Sequence, residues 1–308
     1  MMNAEQCIDL KYLEISILGA GRAAKTLAYA WQKKGIHIGQ VINQSEASAA
    51  TAAKFIGAGT AVKEFSPLKK PVQNYRVLVI GLPDSHLVAL NDELVKSIQA
   101  GQFDLLMHLS GQHGVEVFDD VLTKNIELAA VHPLLPFADP VVALKQLHNS
   151  FCLLTASEQA SPFLEELFNA IGLSAITAPA KLDRPRYHTS MVVASNLMCA
   201  IQYLSIELAK QAGLDVTDAQ RLTTSLASNA LVSMTQSNPI QALTGPIERG
   251  DLDAVDLMLS SLQQLPTAHA EAIQGLLKVV LDMAVAKGSL SEQQHIQVLQ
   301  HLQLVVGC

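Results

Sequence analysis

Several common signals are missing from this chain. Its four cysteines, Cys7, Cys152, Cys199 and Cys308, are scattered, with no Cys-x-x-Cys and no zinc-like spacing, so neither a disulfide framework nor a structural zinc site is expected. The ten histidines are dispersed, and His108 with His113 lacks the helical spacing of a metal pair. No metal site is expected. There is no His-Glu-x-x-His, no Gly-x-Ser-x-Gly and no Gly-Lys-Ser/Thr, which removes the support for zinc hydrolase, serine hydrolase and P-loop readings. No basic run is present and the net charge is −7, which argues against nucleic acid or an anionic membrane surface as partner. No continuous apolar run approaches the roughly 20 residues needed to cross a bilayer. Met1 to Leu10 has no apolar core of the secretory kind, so a cytoplasmic protein with reduced thiols is expected.

What is abundant is apolar residues, at 49% against 16% charged. Over 308 residues that composition suits two domains with a large core, and leaves apolar surface for a subunit partner. A homodimer is expected, with the apolar helix faces around Val192 to Leu204 at its interface.

The densest information lies at Leu13-Glu14-Ile15-Ser16-Ile17-Leu18-Gly19-Ala20-Gly21-Arg22-Ala23-Ala24. An alternating apolar strand runs straight into Gly-x-Gly-x-x-Ala and an amphipathic helix carrying Leu27, Ala28, Ala30 and Trp31. A dinucleotide's pyrophosphate needs that order. Gly19 permits the tight turn, Gly21 lets the backbone approach the phosphates, and Ala24 lets the helix pack close. The free N–H groups and positive dipole end of the helix, from Arg22 and Ala23 onward, then face the anion.

Strand patterns follow at Ile36 to Asn43, Val77 to Gly81, Phe103 to Leu109, Ile126 to Val131, Phe151 to Thr155 and Leu173 to Thr177. Helices are expected from the Ser45 cap to Ile56, over Asp84 to Ile98 with Asp84 as N-cap, and over Ser161 to Ile171. Pro67 to Pro71 reads as a surface loop. Strands alternating with helices predict an α/β architecture, a Rossmann-type doubly wound, mainly parallel sheet. Beyond it no strand pattern remains. Helices are expected at Tyr187 to Gln211, Val216 to Gln236, Asp251 to Leu262, His269 to Ala286 and Ser291 to Leu304. The expected division is a dinucleotide-binding domain over 1–180 and an all-α domain over 181–308.

An NAD-preferring site places Asp or Glu at the end of the second strand to take the ribose hydroxyls. Here that place reads Asn43-Gln44-Ser45, with Arg22 beside the turn. A 2′-phosphate meets no repelling carboxylate, so NADP is expected over NAD. Glu46 reads as a first-turn acid complementing the helix dipole.

Six segments carry a family likeness in one order: Gly19-Ala20-Gly21-Arg22, Gly81-Leu82-Pro83-Asp84, His108-Leu109-Ser110-Gly111, His132-Pro133-Leu134, Tyr187-His188 with Ser195-Asn196, and Ala242-Leu243-Thr244-Gly245-Pro246 with Arg249-Gly250-Asp251. Together they resemble the Rossmann-like oxidoreductases whose C-terminal half is a helical domain of unknown function. These relate in turn to the 6-phosphogluconate dehydrogenase-like reductases, among them ketopantoate reductase and pyrroline-5-carboxylate reductase. The resemblance implies a helical domain that often dimerises and an active site between domains. Where relatives tend to carry a His in the helix after Arg-Gly-Asp, this chain has Met258.

A reductase passing hydride to C=O or C=N needs a proton donor near the developing negative charge. His188 is the leading candidate, at the start of the first C-terminal helix, where the related reductases place a catalytic Lys that this chain lacks. Tyr187 is the alternative donor and His132, at a strand end, a third. Ser195, seven residues after His188, falls on the same helical face, with Asn196 one step around. Ser110 and Gly111 end another strand where nicotinamide and substrate meet, so Ser110 serves either ligand or closes a turn. Gly81, Leu82 and Pro83 are expected beside the cofactor. Arg249, in a Gly- and Pro-punctuated loop from Thr244 to Asp251, is a candidate carboxylate anchor, with Arg184 and Arg186 as competitors. The expectation is NADP-dependent reduction of a small carboxylate-bearing ketone or imine, such as the 2-oxo acid ketopantoate. The rival is a nucleotide-binding sensor or scaffold without turnover.

Overall fold

The computed structural model describes residues 9–64, 75–90, 103–118 and 126–304. Its contacts divide the chain into two compact units, Met1–Ser195 and Asn196–Cys308. The first carries an eight-stranded sheet of order β3-β2-β1-β4-β5-β6-β7-β8. The strands are β1 (Leu13–Leu18), β2 (His37–Ile42), β3 (Thr60–Val62), β4 (Tyr75–Ile80), β5 (Leu105–His108), β6 (Glu127–Pro133), β7 (Ser150–Ala156) and β8 (Leu173–Thr177). All neighbours pair parallel except β6 and β7, which are antiparallel, with His132 opposite Leu153 and Ala130 opposite Thr155. The reversal of order between β1 and β4 is the doubly wound switch point.

Both faces of the sheet are covered. In β4, Val77 and Val79 enter one apolar cluster with Leu27 and Trp31, whereas Leu78 and Ile80 enter another with Leu87, Leu106 and Phe118. A strand buried on both sides reads as an unbroken apolar run, which is why Val77-Leu78-Val79-Ile80 is legible. Helix α1 (Arg22–Lys33) buries Ala24, Leu27, Ala28 and Trp31, and the Trp31 indole N–H donates to the Leu167 carbonyl, 3.1 Å away. That bond ties α1 to α5 (Ser161–Asn169). Helix α2 (Glu46–Ile56) starts at the expected Ser45 cap, whose hydroxyl accepts the Ser48 N–H at 3.2 Å, and stops at Gly57, which is left-handed at φ 79°.

Some expectations shift. Helix α3 (Asp84–Val88) ends well short of Ile98, with Leu90 already outside it. Its N-cap is Pro83, which offers no side-chain acceptor, so Asp84 is a first-turn acid and not the cap. The short edge strand β3 and helix α4 (Pro140–Gln146), capped by Asp139, are additional to the sequence pattern. The expected loop at 67–71 and the remainder of the expected helix, 91–98, lie outside the described residues.

After β8 comes α6 (Arg184–Val192), capped by the Asp183 carboxylate on the Arg186 N–H. A π-helical stretch at Val193–Leu197 leads into α7 (Met198–Gln211). The continuous helix Arg184–Gln211 is 28 residues long and rich in apolar side chains. By length and composition it could cross a membrane, contrary to the expectation that nothing in the chain does. None of that apolar stretch is buried, but two side chains of the helix are tied to neighbours: Tyr187 to His132 in the sheet, and Gln202 in α7, which donates to Thr223 at 2.8 Å.

That second bond joins α7 to α8 (Val216–Gln236) within the helical unit. The unit continues with α9 (Pro239–Ala242), α10 (Pro246–Arg249), α11 (Leu252–Leu262), α12 (Thr267–Lys287) and α13 (Glu292–Leu304). Its small core joins Ile247, Val255, Leu259, Leu281, Val298 and Leu302, and Met258 packs against it. The segment Thr244 to Asp251, expected as a loop, contains the single turn α10. Glu248 fixes this turn by accepting from Lys287 at 3.1 Å and Ser289 at 2.8 Å. Asp251 caps α11 as expected.

Candidate active site

At the switch point the loops after β1, β2 and β4 enclose a crevice of about 400 Å³. Gly19, Ala20, Gly21, Asn43, Gln44, Gly81, Leu82 and Pro83 line it, as expected, together with Leu18, Ile42, Ser48 and Lys63. Hydrogen bonds hold the loop in shape: the Gly19 N–H donates to Ile42 at 2.8 Å, the Gly81 N–H to Leu18 at 2.8 Å, and the Ala20 N–H to the Asn43 side-chain oxygen at 2.8 Å.

The glycines separate fold from ligand. Gly19 has φ 77°, and a Cβ there would stand 2.6 Å from Leu82 Cδ2; at Gly81 a Cβ would stand 2.6 Å from both Ala24 Cβ and the Gly19 carbonyl oxygen. Those two positions are glycine because the chain packs against itself. Gly21 is different. Its φ is −66°, and the nearest foreign atom to an added Cβ is 3.7 Å away, so the fold does not demand glycine there. A ligand's close approach to the backbone would. Beside it, α1 begins without a side-chain cap and its first intrahelical donor is Lys25, leaving the N–H groups of Arg22, Ala23 and Ala24 for an anion. The crevice thus fits a dinucleotide.

Of the other cofactor candidates, the Arg22 side chain is exposed and outside the lining, while its carbonyl accepts from Thr26. Ser45 serves as the helix cap rather than lining the crevice. Lys63 is the residue sequence reasoning missed. It follows β3, whose Val62 pairs with Ile42 at the end of β2, so pairing delivers a cation beside Gln44 and Ser48.

A second cluster gathers at the ends of β5 and β6 and on the first turn of α6. His132 Nδ1 and the Tyr187 hydroxyl lie 2.8 Å apart. Burial is the main reason the His132 imidazole drops to about 4, with the charges of His188 and Arg184 acting the same way; it is neutral at pH 7. Burial likewise raises the Tyr187 phenol, so it keeps its proton. The His188 ring centroid is 6.1 Å from that of His132, and its Nδ1 is buried with no hydrogen-bond partner. Arg184 donates from Nη2 to the Thr155 hydroxyl, while its Nη1 is buried and unpartnered. Arg184, Tyr187 and His188 stand at i, i+3 and i+4, hence on one face.

The loop after β5 shapes the floor of this cluster. His108 Nε2 lies 2.9 Å from the Gly114 carbonyl and Nδ1 accepts the Ser110 N–H at 3.2 Å. Burial pushes this imidazole down to about 4 as well. The Ser110 hydroxyl accepts from the N–H groups of Gln112 and His113, both at 3.1 Å, which is the turn-closing reading. Gly111 is glycine because His132 lies over it: a Cβ would stand 2.6 Å from the ring. Ser195 and Asn196 are exposed in the π-helical stretch, where the wider turn breaks the α-helical register assumed between His188 and Ser195. Arg249 is exposed at the end of α10 in the helical unit, while the half-buried Glu248 beside it takes the Lys287 and Ser289 bonds. Among the described residues no group of three or more His, Cys, Asp or Glu is arranged to hold a metal.

Residues 1–133 match a Rossmann-like domain, and residues 150–277 match the family described as Domain of unknown function (DUF2520). The chain is thus of the class that joins these two domains, the class its motifs resemble. No curated protein matches it. Among solved structures, a proposed NADP oxidoreductase from Bacteroides fragilis aligns with TM-score 0.70 and 22% identity, covering 88% of this chain and 99% of that one. The Streptomyces aurantiacus imine reductase aligns with TM-score 0.58 at 16% identity, covering 93% and 99%. A Plasmodium falciparum pyrroline carboxylate reductase with NADP bound gives 0.54 at 12%, covering 92% and 99%. At these identities the likeness is one of fold.

Proposed function

We propose that this protein is an NADP-dependent oxidoreductase that reduces the C=O or C=N group of a small carboxylate-bearing molecule, a 2-oxo acid or an imine. The observation that carries this reading is Gly21, a glycine that packing does not require at the mouth of a crevice built for a pyrophosphate. The neighbouring folds support it, since they include an imine reductase and a pyrroline carboxylate reductase solved with NADP. Asn43 and Gln44 in place of an acid, with Lys63 alongside, favour the 2′-phosphate.

When bound, the nicotinamide supplies the hydride. The chain's own part is the proton. With its hydrogen on Nδ1, neutral His132 donates to the Tyr187 oxygen, and the phenol's proton is then free for the nitrogen or oxygen that gains negative charge. This moves the leading donor role from His188 to Tyr187, because Tyr187 is the group bonded to a neutral imidazole. The exposed apolar faces of α7 and α8 are read as the surface of a homodimer, and the protein as cytoplasmic.

The test is a titration of NADPH and NADH, followed by NADPH oxidation with a panel of 2-oxo acids and cyclic imines. NADPH is expected to bind more tightly and to be consumed. Tyr187→Phe is expected to keep NADPH affinity and lower turnover about 100-fold. Equal or tighter NADH binding overturns the cofactor assignment. Binding without consumption of any panel member favours the sensor.

A further inference from the structure

Two buried polar atoms in the site lack partners, and both come from one turn of α6: Arg184 Nη1 and His188 Nδ1. Buried donors are normally satisfied, so each orphan needs a reason. The Arg184 guanidinium is held on one side by the Thr155 hydroxyl. Among the described residues no carboxylate forms an ion pair with it; Glu116, the acid whose charge it feels, is engaged by the Gly114 N–H at 2.7 Å. The guanidinium as a whole is half-buried, but a charged donor atom shut away from water without a partner is unfavourable. Arg186, two residues on, has the opposite fate: it is exposed and its head lies 3.5 Å from Asp183. Only one of the two arginines is turned inward, toward His132 and Tyr187, whose charges it influences.

We infer that Arg184 and His188 together form the subsite for the substrate's carboxylate, one oxygen taken by Arg184 Nη1 and the other by His188 Nδ1–H. The inference rests on the reductase reading and deepens it. Residues four apart on a helix present their side chains about 5–6 Å from Cβ to Cβ, a span that a planar carboxylate bridges. In this arrangement His188 is a binding group and Tyr187, between the two in sequence, faces the reducible bond. The site then selects anionic over neutral substrates, because a neutral analogue leaves the buried Nη1 of Arg184 unpaired.

Calorimetric titration with benzoate and oxalate, each compared with its uncharged amide, tests this on the whole chain with and without saturating NADP⁺. Both carboxylates are expected to bind at least about tenfold more tightly than the amides. Arg184→Gln is expected to abolish that preference and His188→Phe to weaken carboxylate binding about tenfold. His188→Asn, which keeps a donor near the position of Nδ1, should stay within about threefold of the unmodified protein. Circular dichroism melts report folding. If Arg184→Gln does not fold, Arg184→Lys, which keeps the charge without the fork, is expected to show an intermediate preference. Equal binding of carboxylate and amide, or an unchanged preference in the Arg184 variant that folds, overturns the inference. NADPH affinity, measured in the same samples, is expected to be the same in all variants. Its absence in the unmodified protein counts against the reductase reading, while the nucleotide-free carboxylate titrations still decide the subsite.

Discussion

The sheet unit and the helical unit are both rich in apolar residues, but they place them differently. In the sheet unit, α1 buries one face completely, with Leu27, Ala28 and Trp31 at 0% exposure. In the helical unit, α7 has no buried residue and α8 has only Ala219, while Leu226 is 72% and Leu257 74% exposed. Apolar surface of this extent is the kind that interaction faces present. The sheet unit satisfies its hydrophobic demand within one chain; the helical unit leaves part of its demand open, as the proposed homodimer requires.

The contrast is broken or sharpened by five measurements. Trp31→Ala is expected to cost about 3–5 kcal/mol, through a cavity and the lost bond to Leu167, at any protein concentration. Denaturant titration checks this, and a loss that disappears at high concentration would mean that the sheet unit too depends on a partner. The unmodified chain is expected to show twice its 33.0 kDa mass in light scattering, and Leu226→Glu to shift it toward the monomer. A monomeric unmodified chain removes the contrast.

Within the sheet unit, acid is expected to act through His108 and His132. Both are near 4 when folded against an ordinary value of 6.5, so the unfolded chain binds more protons between these values. Stability is therefore fully present above pH 6.5 and falls as pH drops toward 4, by on the order of 3 kcal/mol for each imidazole. Replacing His108 by Gln should flatten the fall of melting temperature over that window; an unaltered slope would discount its burial. The two glycines should also part company. Gly81→Ala should lower the melting temperature, whereas Gly21→Val should leave it nearly unchanged and abolish NADPH binding. The smallest effect is expected for Lys63→Gln, about tenfold on NADPH and none on NADH, read by calorimetry.

Local pattern made much of this legible. Strands β1, β4 and β8 and helices α1, α8 and α11 stand at or within a few residues of their sequence expectations, because each is defined by its own periodicity, cap or glycine stop. What was not legible depends on pairing between distant segments. Three residues of β3 are too few to show alternation, and without β3 nothing places Lys63 beside Gln44. Asp84 and the Pro83 cap differ by one position, which composition does not resolve. Arg184 and Arg186 are equivalent in sequence; the Asp183 cap sets the helix phase that turns one inward and leaves the other in solvent. The π-helical stretch, which has no sequence signature here, undid the seven-residue spacing of His188 and Ser195.

The single antiparallel strand has an economical result for how this site could diversify. Because β7 reverses and β8 follows it, the chain returns to the ends of β5 and β6 as a helix, and five consecutive residues, Arg184 to His188, bring an anion-binding head, a phenol and an imidazole to one place. The crevice that fits the dinucleotide is made of other segments altogether. If the proposed subsite holds, substrate preference is separable from cofactor preference in the gene itself: codons within one helical turn would retune what is bound, while the glycine loop of the proposed nucleotide seat stays untouched.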